Sequence, residues 1–290
     1  MIGRRAVAVS GALLLLAGCT TTSQSGGPPA PSTTAGTVST TSVPTTRSVT
    51  TTTGTTGYCT NGSVIASWPL AERAAQLVVV PVLSANPAAV QVAVRAQAGG
   101  VLILGSVPSS PALKSDLAAI RSDRGVPPMV MTDEEGGGVQ RLLPDVSSIP
   151  WPRQMASTMT PGQVRDLAAN LGRQMQGLGV DVDLAPVLDL DGGPTLSASD
   201  PDGPRSFSTL PSVAGTYGSA FVQGLKAAGV LAVVKHFPGL GGASGNTDYG
   251  PAATRPLSSL RAAGLLPFQQ AIGAGARAVM VANATVPGLT

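Results

Sequence analysis

The sequence predicts an α/β fold, a (β/α) barrel of about six βα units set behind a leader and an unstructured tether. Short apolar runs alternate with helical patterns and are entered through glycine. They are apolar at successive positions, as strands covered on both faces of a parallel sheet must be. Charged and polar residues gather after the runs and not before them, which places a pocket at the C-terminal ends of the strands. A doubly wound sheet fits less well, because the first strand-to-helix turn lacks a phosphate-binding glycine fingerprint.

The chain opens with a targeting segment. Arg4 and Arg5 form a positive n-region, Ala6 to Ala17 a short apolar stretch, and Leu16-Ala17-Gly18-Cys19 has the form of a bacterial lipobox. The stretch is too short for a comfortable transmembrane helix. These residues predict export, lipid attachment at Cys19 and anchoring at the outer face of the bacterial cell membrane; a signal peptide cleaved without lipid is the other reading. Residues 20–57 are almost wholly Thr, Ser, Gly, Pro and Val, with Arg47 their single charge. Too little apolar surface is available there to offset ordering entropy, so a disordered tether is expected, with the body starting near Tyr58. If Cys19 carries lipid, Cys59 is left as an odd cysteine.

Within the body, Leu70–Gln76 has a helical pattern and Leu77–Val82 is the first strand. Residues 87–98 read as helix, Gly99 and Gly100 lead into a strand at Val101–Leu104, and Leu113–Arg121 is the next helix. Pro128–Thr132 is a third strand, ending at Asp133, Glu134, Glu135 and three glycines. Thr160 and Pro161 supply an N-cap and a proline at the first helical position, so a helix runs to about Leu178, where Gly179 stops it. Val180–Ala185 is a fourth strand, with Pro186, Asp189 and Asp191 beyond its end. After Pro204-Arg205-Ser206-Phe207 come a helix over Val213–Ala228, a fifth strand over Val230–Val234, a helix near Leu265–Ala274 and a sixth strand over Ala278–Val281. A closed barrel needs eight units. With Thr290 as its end, the chain is expected to be a barrel truncated to about six, with two strand edges open.

Charge narrows the function classes. Of 18 Lys and Arg, three (Arg4, Arg5 and Arg47) precede the body, which leaves 15 against 15 acidic residues. A near-neutral body without a basic cluster argues against nucleic acid as a partner. One histidine and two cysteines show no local zinc-binding spacing, so metal catalysis is not expected. No GxSxG elbow is present.

The candidate site residues stand at strand ends. Asp133 precedes a glycine-rich turn, where a carboxylate accepts hydrogen bonds from vicinal sugar hydroxyls and glycine lets backbone approach a ligand; a turn carboxylate facing water is the plain alternative. Arg141 and Arg205 are possible donors to hydroxyl or carbonyl oxygens, although an isolated Arg is more often a surface group. Lys235 and His236 carry a stronger signal, because adjacent basic residues ending an apolar strand are costly unless satisfied.

These stretches together resemble glycoside hydrolase family three, in its β-N-acetylglucosaminidase (β-hexosaminidase) branch. The matching segments are VMTDEEGGGVQRL (Val130–Leu142), DLAPVLDL (Asp183–Leu190), GPRSFS (Gly203–Ser208), KHFPG (Lys235–Gly239) and AVMVANATVPGL (Ala278–Leu289), in the family's order. The resemblance implies a TIM-like barrel, retaining removal of terminal N-acetylglucosamine through a covalent glycosyl-enzyme, and no cofactor. It implies sugar-binding roles for Asp133, Arg141, Arg205, Lys235 and His236, cell-wall-derived glycans as the source of the sugar, and a monomer.

The departures from the family are as informative. Leu240 stands where the branch has the His of KHFPGHG, and Gly138 where the family usually has Arg. The branch takes its acid/base from a D-S-H element; here the positions are Asn246, Thr247 and Asp248. Asn246 falls on the orienting Asp, and Asp248 is a candidate proton donor on condition that it is buried. The family's nucleophilic Asp lies on the strand beyond VPGL, where this chain ends, so no nucleophile is expected in it. The expectation is therefore a hydrolase by descent with weak or no turnover; the alternatives are a non-catalytic amino-sugar-binding envelope lipoprotein and a degenerate gene fragment.

Overall fold

The apolar runs pair with one another in parallel. In the computed structural model, which describes residues 62–82, 90–105, 113–122, 126–197 and 200–289, the strands in chain order are β1 (Val79–Val82), β2 (Gly100–Ile103), β3 (Met129–Thr132), β4 (Glu134–Gly136), β5 (Val139–Gln140), β6 (Val182–Asp183), β7 (Leu231–Phe237) and β8 (Ala278–Val281). Six of them form one curled sheet in the order β1-β2-β3-β6-β7-β8, every neighbouring pair parallel. Strand order follows chain order, which is the topology of consecutive βα units of a TIM-like barrel. The leader with Cys19, the tether and Cys59 lie outside the described residues.

Side chains alternate across this sheet with the strand period of two. Val101, Ile103, Val130, Ala232 and Val234 enter one core, shared with the helices outside the sheet. Met131, Val182, Leu184, Val233 and Ala278 make a second cluster on the opposite face, inside the curl. The helices of this unit are α2 (Leu70–Ala75), α3 (Gln91–Arg95), α4 (Leu113–Ser122), α5 (Pro152–Thr158), α6 (Pro161–Leu178), α7 (Pro211–Ala227), α8 (Leu257–Ser259) and α9 (Leu266–Gly273). A short helix α1 (Gly62–Ala66) belongs to a separate unit, where Ser67 Oγ donates to Val64 O at 2.6 Å.

Local chemistry accounts for the best-defined helix. Thr160 and Gln163 form a reciprocal capping box, Pro161 occupies the first turn, and Gly179 closes the helix in the left-handed region at φ 94°. Val164, Ala168, Leu171 and Met175, at helical spacing, are its buried stripe. Full burial of each of the larger ones stabilises the fold by roughly 1.5–3 kcal/mol. The helix meets α7 closely because Gly224 lacks a side chain; a Cβ there would lie 2.2 Å from Arg165 O.

The structure also differs from the sequence reading in places. The strand expected over Val180–Ala185 pairs only at Val182–Asp183, after which the chain leaves the ladder and rejoins β7 through a single Val187–Lys235 bridge. The helix expected over residues 87–98 is α3, Gln91–Arg95, within the described part. The glycine-rich stretch after Asp133 is the hairpin of β4 and β5, because Gly136 and Gly137 supply positive φ angles of 110° and 58°. α5 had no strong periodic signal, and the helix near Leu265 starts earlier, through α8 and a π-helical turn at Leu260–Gly264 in which Leu265 N donates to Leu260 O.

Candidate active site

The end of β3 and the hairpin that follows it converge on Lys235. It stands near the C-terminal end of β7, and its side chain is 3% exposed. Its Nζ lies 2.6 Å from Asp133 Oδ1, just past β3, and 2.5 Å from Glu135 Oε1 in β4. Glu135 in turn accepts a bidentate pair from Arg205, at 2.7 Å from Nε and 2.8 Å from Nη2. Burial alone would raise the Glu135 carboxyl, but Lys235 and Arg205 overrule it and hold the group well below the ordinary carboxylate range. Burial likewise works against the Lys235 ammonium, and Asp133 and Glu135 prevail, leaving its pKa above the ordinary value. The result is a continuous ion-paired chain from Asp133 through Lys235 and Glu135 to Arg205.

Arg141 completes this pole. Its Nε is buried, has no hydrogen-bond partner, and lies 4.0 Å from Asp133 Oδ2. The hairpin that carries it is clipped by Glu134, whose carboxylate accepts Arg141 N and Leu142 N at 2.7 Å each and Gln140 Nε2 at 3.0 Å. Asp183, in β6, fixes the start of the hairpin by accepting Glu134 N at 2.9 Å. Burial raises the carboxyls of both Glu134 and Asp183.

The second pole is His236 with Asp189. Asp189 Oδ2 lies 2.6 Å from His236 Nδ1, and the carboxylate also accepts His236 N at 3.1 Å and Leu240 N at 2.7 Å. The peptide bond between Lys235 and His236 is cis. Burial, with Arg205 nearby, lowers the His236 pKa to about 4, while burial raises Asp189 to about 7 against the pull of the Leu240 and His236 N–H groups. At neutral pH the imidazole is uncharged, and with Asp189 ionised the contact holds the ring proton on Nδ1 and leaves Nε2 as an acceptor. Asp202, just before Arg205, is buried beside this pair, and burial raises its carboxyl well above the ordinary value.

The loop carrying Arg205 is held from below. Arg153, in α5, donates through Nε to Ser206 O at 3.1 Å and through Nη2 to Gly203 O at 3.0 Å and to Asp191 O. Ser206 Oγ donates to Asp189 O at 2.6 Å.

Asp133, Arg141, Arg205, Lys235 and His236 thus stand together at the C-terminal end of the sheet. Asn246 and Asp248 do not join them. Asn246 Oδ1 accepts Asp248 N at 2.9 Å in a local turn, its Nδ2 reaches Ser197 O at 3.4 Å, and Asp248 is exposed. The burial on which a proton-donor role for Asp248 was conditional is absent. Leu240 is buried, and its backbone serves Asp189. A Cβ on Gly138 would sit 3.0 Å from the Trp151 ring. Glu135, Asp183, Asp189 and Asp202 were not singled out as site residues from sequence. For Glu135, the DEEGGG run held a signal that its second and third acids serve the site as well as its first.

Residues 69–290 match the family model described as the Glycosyl hydrolase family 3 N terminal domain. Beta-hexosaminidase LpqI of Mycobacterium tuberculosis is 41% identical over 221 residues, covering 76% of this chain and 56% of that protein. The chain spans about half the length of the curated relatives it matches. A solved glycosyl hydrolase of the GH3 family from Mycobacterium smegmatis superimposes with a TM-score of 0.69 at 38% identity, covering 77% of this chain and 67% of that one. NagZ from Neisseria gonorrhoeae, solved in complex with N-trifluoroacetyl-D-glucosamine, gives 0.64 at 25% identity over 72% and 64%.

Proposed function

This chain belongs to glycosyl hydrolase family 3, and we propose that its barrel carries the sugar-holding pole of a β-N-acetylhexosaminidase site, taking terminal N-acetylglucosamine of cell-wall-derived glycans. One observation carries the reading: Asp133 and the unpartnered Nε of Arg141 lie side by side above a buried network that fixes both. A carboxylate next to a free donor suits vicinal hydroxyls and an amide carbonyl of a neutral amino sugar. His236 adds an acceptor at Nε2, and Lys235 and Glu135 keep the charges in place before ligand arrives, so little reorganisation is needed on binding. The ligand of the Neisseria gonorrhoeae relative is an N-acylated glucosamine, which supports the class.

Turnover by this 290-residue chain is expected to be weak or absent. Retaining hydrolysis needs two carboxyl groups roughly 5 Å apart across the glycosidic bond. Asn246 stands at the position that orients the family's base, and Asp248 is exposed and tied into its own turn. That loop favours a second reading, a non-catalytic amino-sugar-binding protein. On either reading the leader argues for export and for anchoring through lipid on Cys19, with the barrel acting as a monomer without cofactor or nucleic acid.

Calorimetric titration with N-acetylglucosamine tests the shared claim. Binding should appear in the wild-type chain and vanish in Asp133→Ala and Lys235→Ala; a folded wild-type chain that takes up no amino sugar sinks it. An aryl β-N-acetylglucosaminide separates the two readings, since turnover abolished by Asp133→Ala would favour the enzyme.

A further inference from the structure

A single guanidinium closes the neck of the loop that leads to Arg205. Between Asp191 and Gly203 the described residues hold no helix or strand, so no ladder of the loop's own fixes where its ends lie. Arg153, in α5, reaches both ends. Its Nη2 donates to Asp191 O at the start and to Gly203 O at 3.0 Å at the finish, and its Nε donates to Ser206 O at 3.1 Å. These carbonyls lie 38, 50 and 53 residues along the chain from it. All three bonds go to backbone oxygens, which a planar fork of fixed N–H groups can span and a single ammonium cannot.

Each end of the neck adjoins a site residue. Asp189, two residues before Asp191, meets His236 Nδ1 at 2.6 Å, and Arg205, between Gly203 and Ser206, grips Glu135. Ser206 Oγ joins the two ends a second time, donating to Asp189 O at 2.6 Å and accepting Asp191 N at 3.2 Å. Gly203 has φ 44°, and a Cβ there would lie 2.8 Å from Thr195 O, so the turn that presents its carbonyl to Arg153 has room for glycine alone.

The approach to α5 also braces the other arginine. Ile149 O accepts Gly137 N at 2.9 Å, and Gln140 Oε1 accepts Ile149 N at 2.8 Å, so the segment that enters α5 is tied to the hairpin carrying Arg141. We propose that Arg153 is a positioning residue: it clasps the neck of the 191–203 loop and so sets Arg205 and Asp189 relative to each other and to the Arg141 hairpin. It acts through Arg205 and Asp189 and not by contact with a ligand.

Loss of the clasp is felt at His236. The charged groups that face its ring are Arg205, Asp202, Lys235 and Glu135, with Asp189 bonded to Nδ1. Arg205 and Asp202 ride on the clasped loop, and the effect of Arg205 on the ring is the larger of the two. Releasing the loop takes away that positive charge and admits water, and both changes favour the imidazolium. The effect on the ring is independent of the amino-sugar reading; an effect on affinity rests on it.

The test compares the full chain with Arg153→Met and Arg153→Lys. The chain has a single histidine, so its ring signals in NMR spectra give the His236 midpoint directly. In both variants the midpoint should rise from about 4 toward 6.5, because lysine keeps the charge but not the three-way span. An unmoved midpoint in a folded Met variant would reduce Arg153 to a contributor to stability, and one in a folded Lys variant would show that charge alone suffices; either overturns the proposal. Affinity for N-acetylglucosamine should fall about five- to tenfold in both variants, and undiminished affinity overturns it too. A wild-type chain that binds no sugar counts against the amino-sugar reading alone, with the midpoint still deciding the clasp. Should neither variant fold, the wild-type Arg153 Nε–H decides: slow exchange with solvent supports the clasp, and exchange as fast as that of free arginine overturns it.

Discussion

Lys235 Nζ meets Asp133 Oδ1 at 2.6 Å although 102 residues of chain separate them, and the same ammonium meets Glu135 at 2.5 Å. The contact ties β7 to the end of β3, so Lys235 holds the site together as well as charging it. Replacing it with Met takes the close cation from Asp133 and leaves Glu135 with Arg205 alone. Breaking a buried pair in this way costs about 3–5 kcal/mol. Urea unfolding of Lys235→Met should show a loss of that order.

Arg141 should behave in the opposite way. Its Nε has no hydrogen-bond partner among the described residues and only the distant Asp133 Oδ2 at 4.0 Å, so Arg141→Met should change unfolding free energy by no more than about 1 kcal/mol. A hydrogen bond from a charged donor is worth about 1.5–3 kcal/mol. Affinity for N-acetylglucosamine should therefore fall roughly 10–100-fold. A variant that unfolds early but still binds would assign Arg141 to the fold.

Asp183 gives a pH signature. Its carboxyl is raised well above 3.8, first by burial and then by Glu134 and Asp133 against Lys235 and the Glu134 N–H. The folded state therefore keeps a proton that the unfolded chain releases, and stability contributed by the protonated form falls as pH rises above the unfolded value. The slope from one group is at most about 1.4 kcal/mol per pH unit. Asp183→Asn keeps an acceptor for Glu134 N and titrates nothing. Its stability relative to wild type should grow with pH from about 4 upward, read from denaturant midpoints across a pH series; a flat difference would mean that Asp183 is ionised in the folded protein.

How much of this was legible from sequence depended on the range of the interactions. Val101 was readable as strand because burial on both faces demands an unbroken apolar run, and Ala278–Val281 carries such a run although its end is exposed. Thr160 and Gly179 were readable because a cap is settled within four residues. Asp133, Lys235 and His236 stood out as charges at strand ends. Glu135 did not, since its importance comes from Arg205, 70 residues on, and Lys235. Asp202 sits in a loop with no periodicity, and only the fold brings it to His236. Whether Asp248 is buried is likewise decided by how its loop lies on the barrel.

The hairpin rests on a glycine. A Cβ at Gly137, which has φ 58°, would come within 2.0 Å of the Trp151 ring. Gly137→Ala should cost roughly 2–4 kcal/mol, combining overpacking with left-handed backbone. Trp151 is one of two tryptophans, so its displacement should also shift the emission maximum. A stable variant with unchanged fluorescence would mean that the turn relaxes freely and Arg141 is not held by it.

His236 supplies the last prediction. Its ring should titrate near pH 4 and not near 6.5, because burial and then Arg205 disfavour the imidazolium. Between those values the unfolded chain takes a proton that the folded one refuses, so this group's contribution is present above pH 6.5 and lost as pH falls through 4. Asp189 acts in the opposite sense: raised from 3.8 to about 7, it holds a proton in the folded state over that same interval. The two effects offset each other in global stability, which makes unfolding curves a poor readout of either. The ring carbons and nitrogens of the single histidine are a direct one, and a midpoint near 6.5 in the folded protein would mean that the imidazole is solvated and free of Asp189.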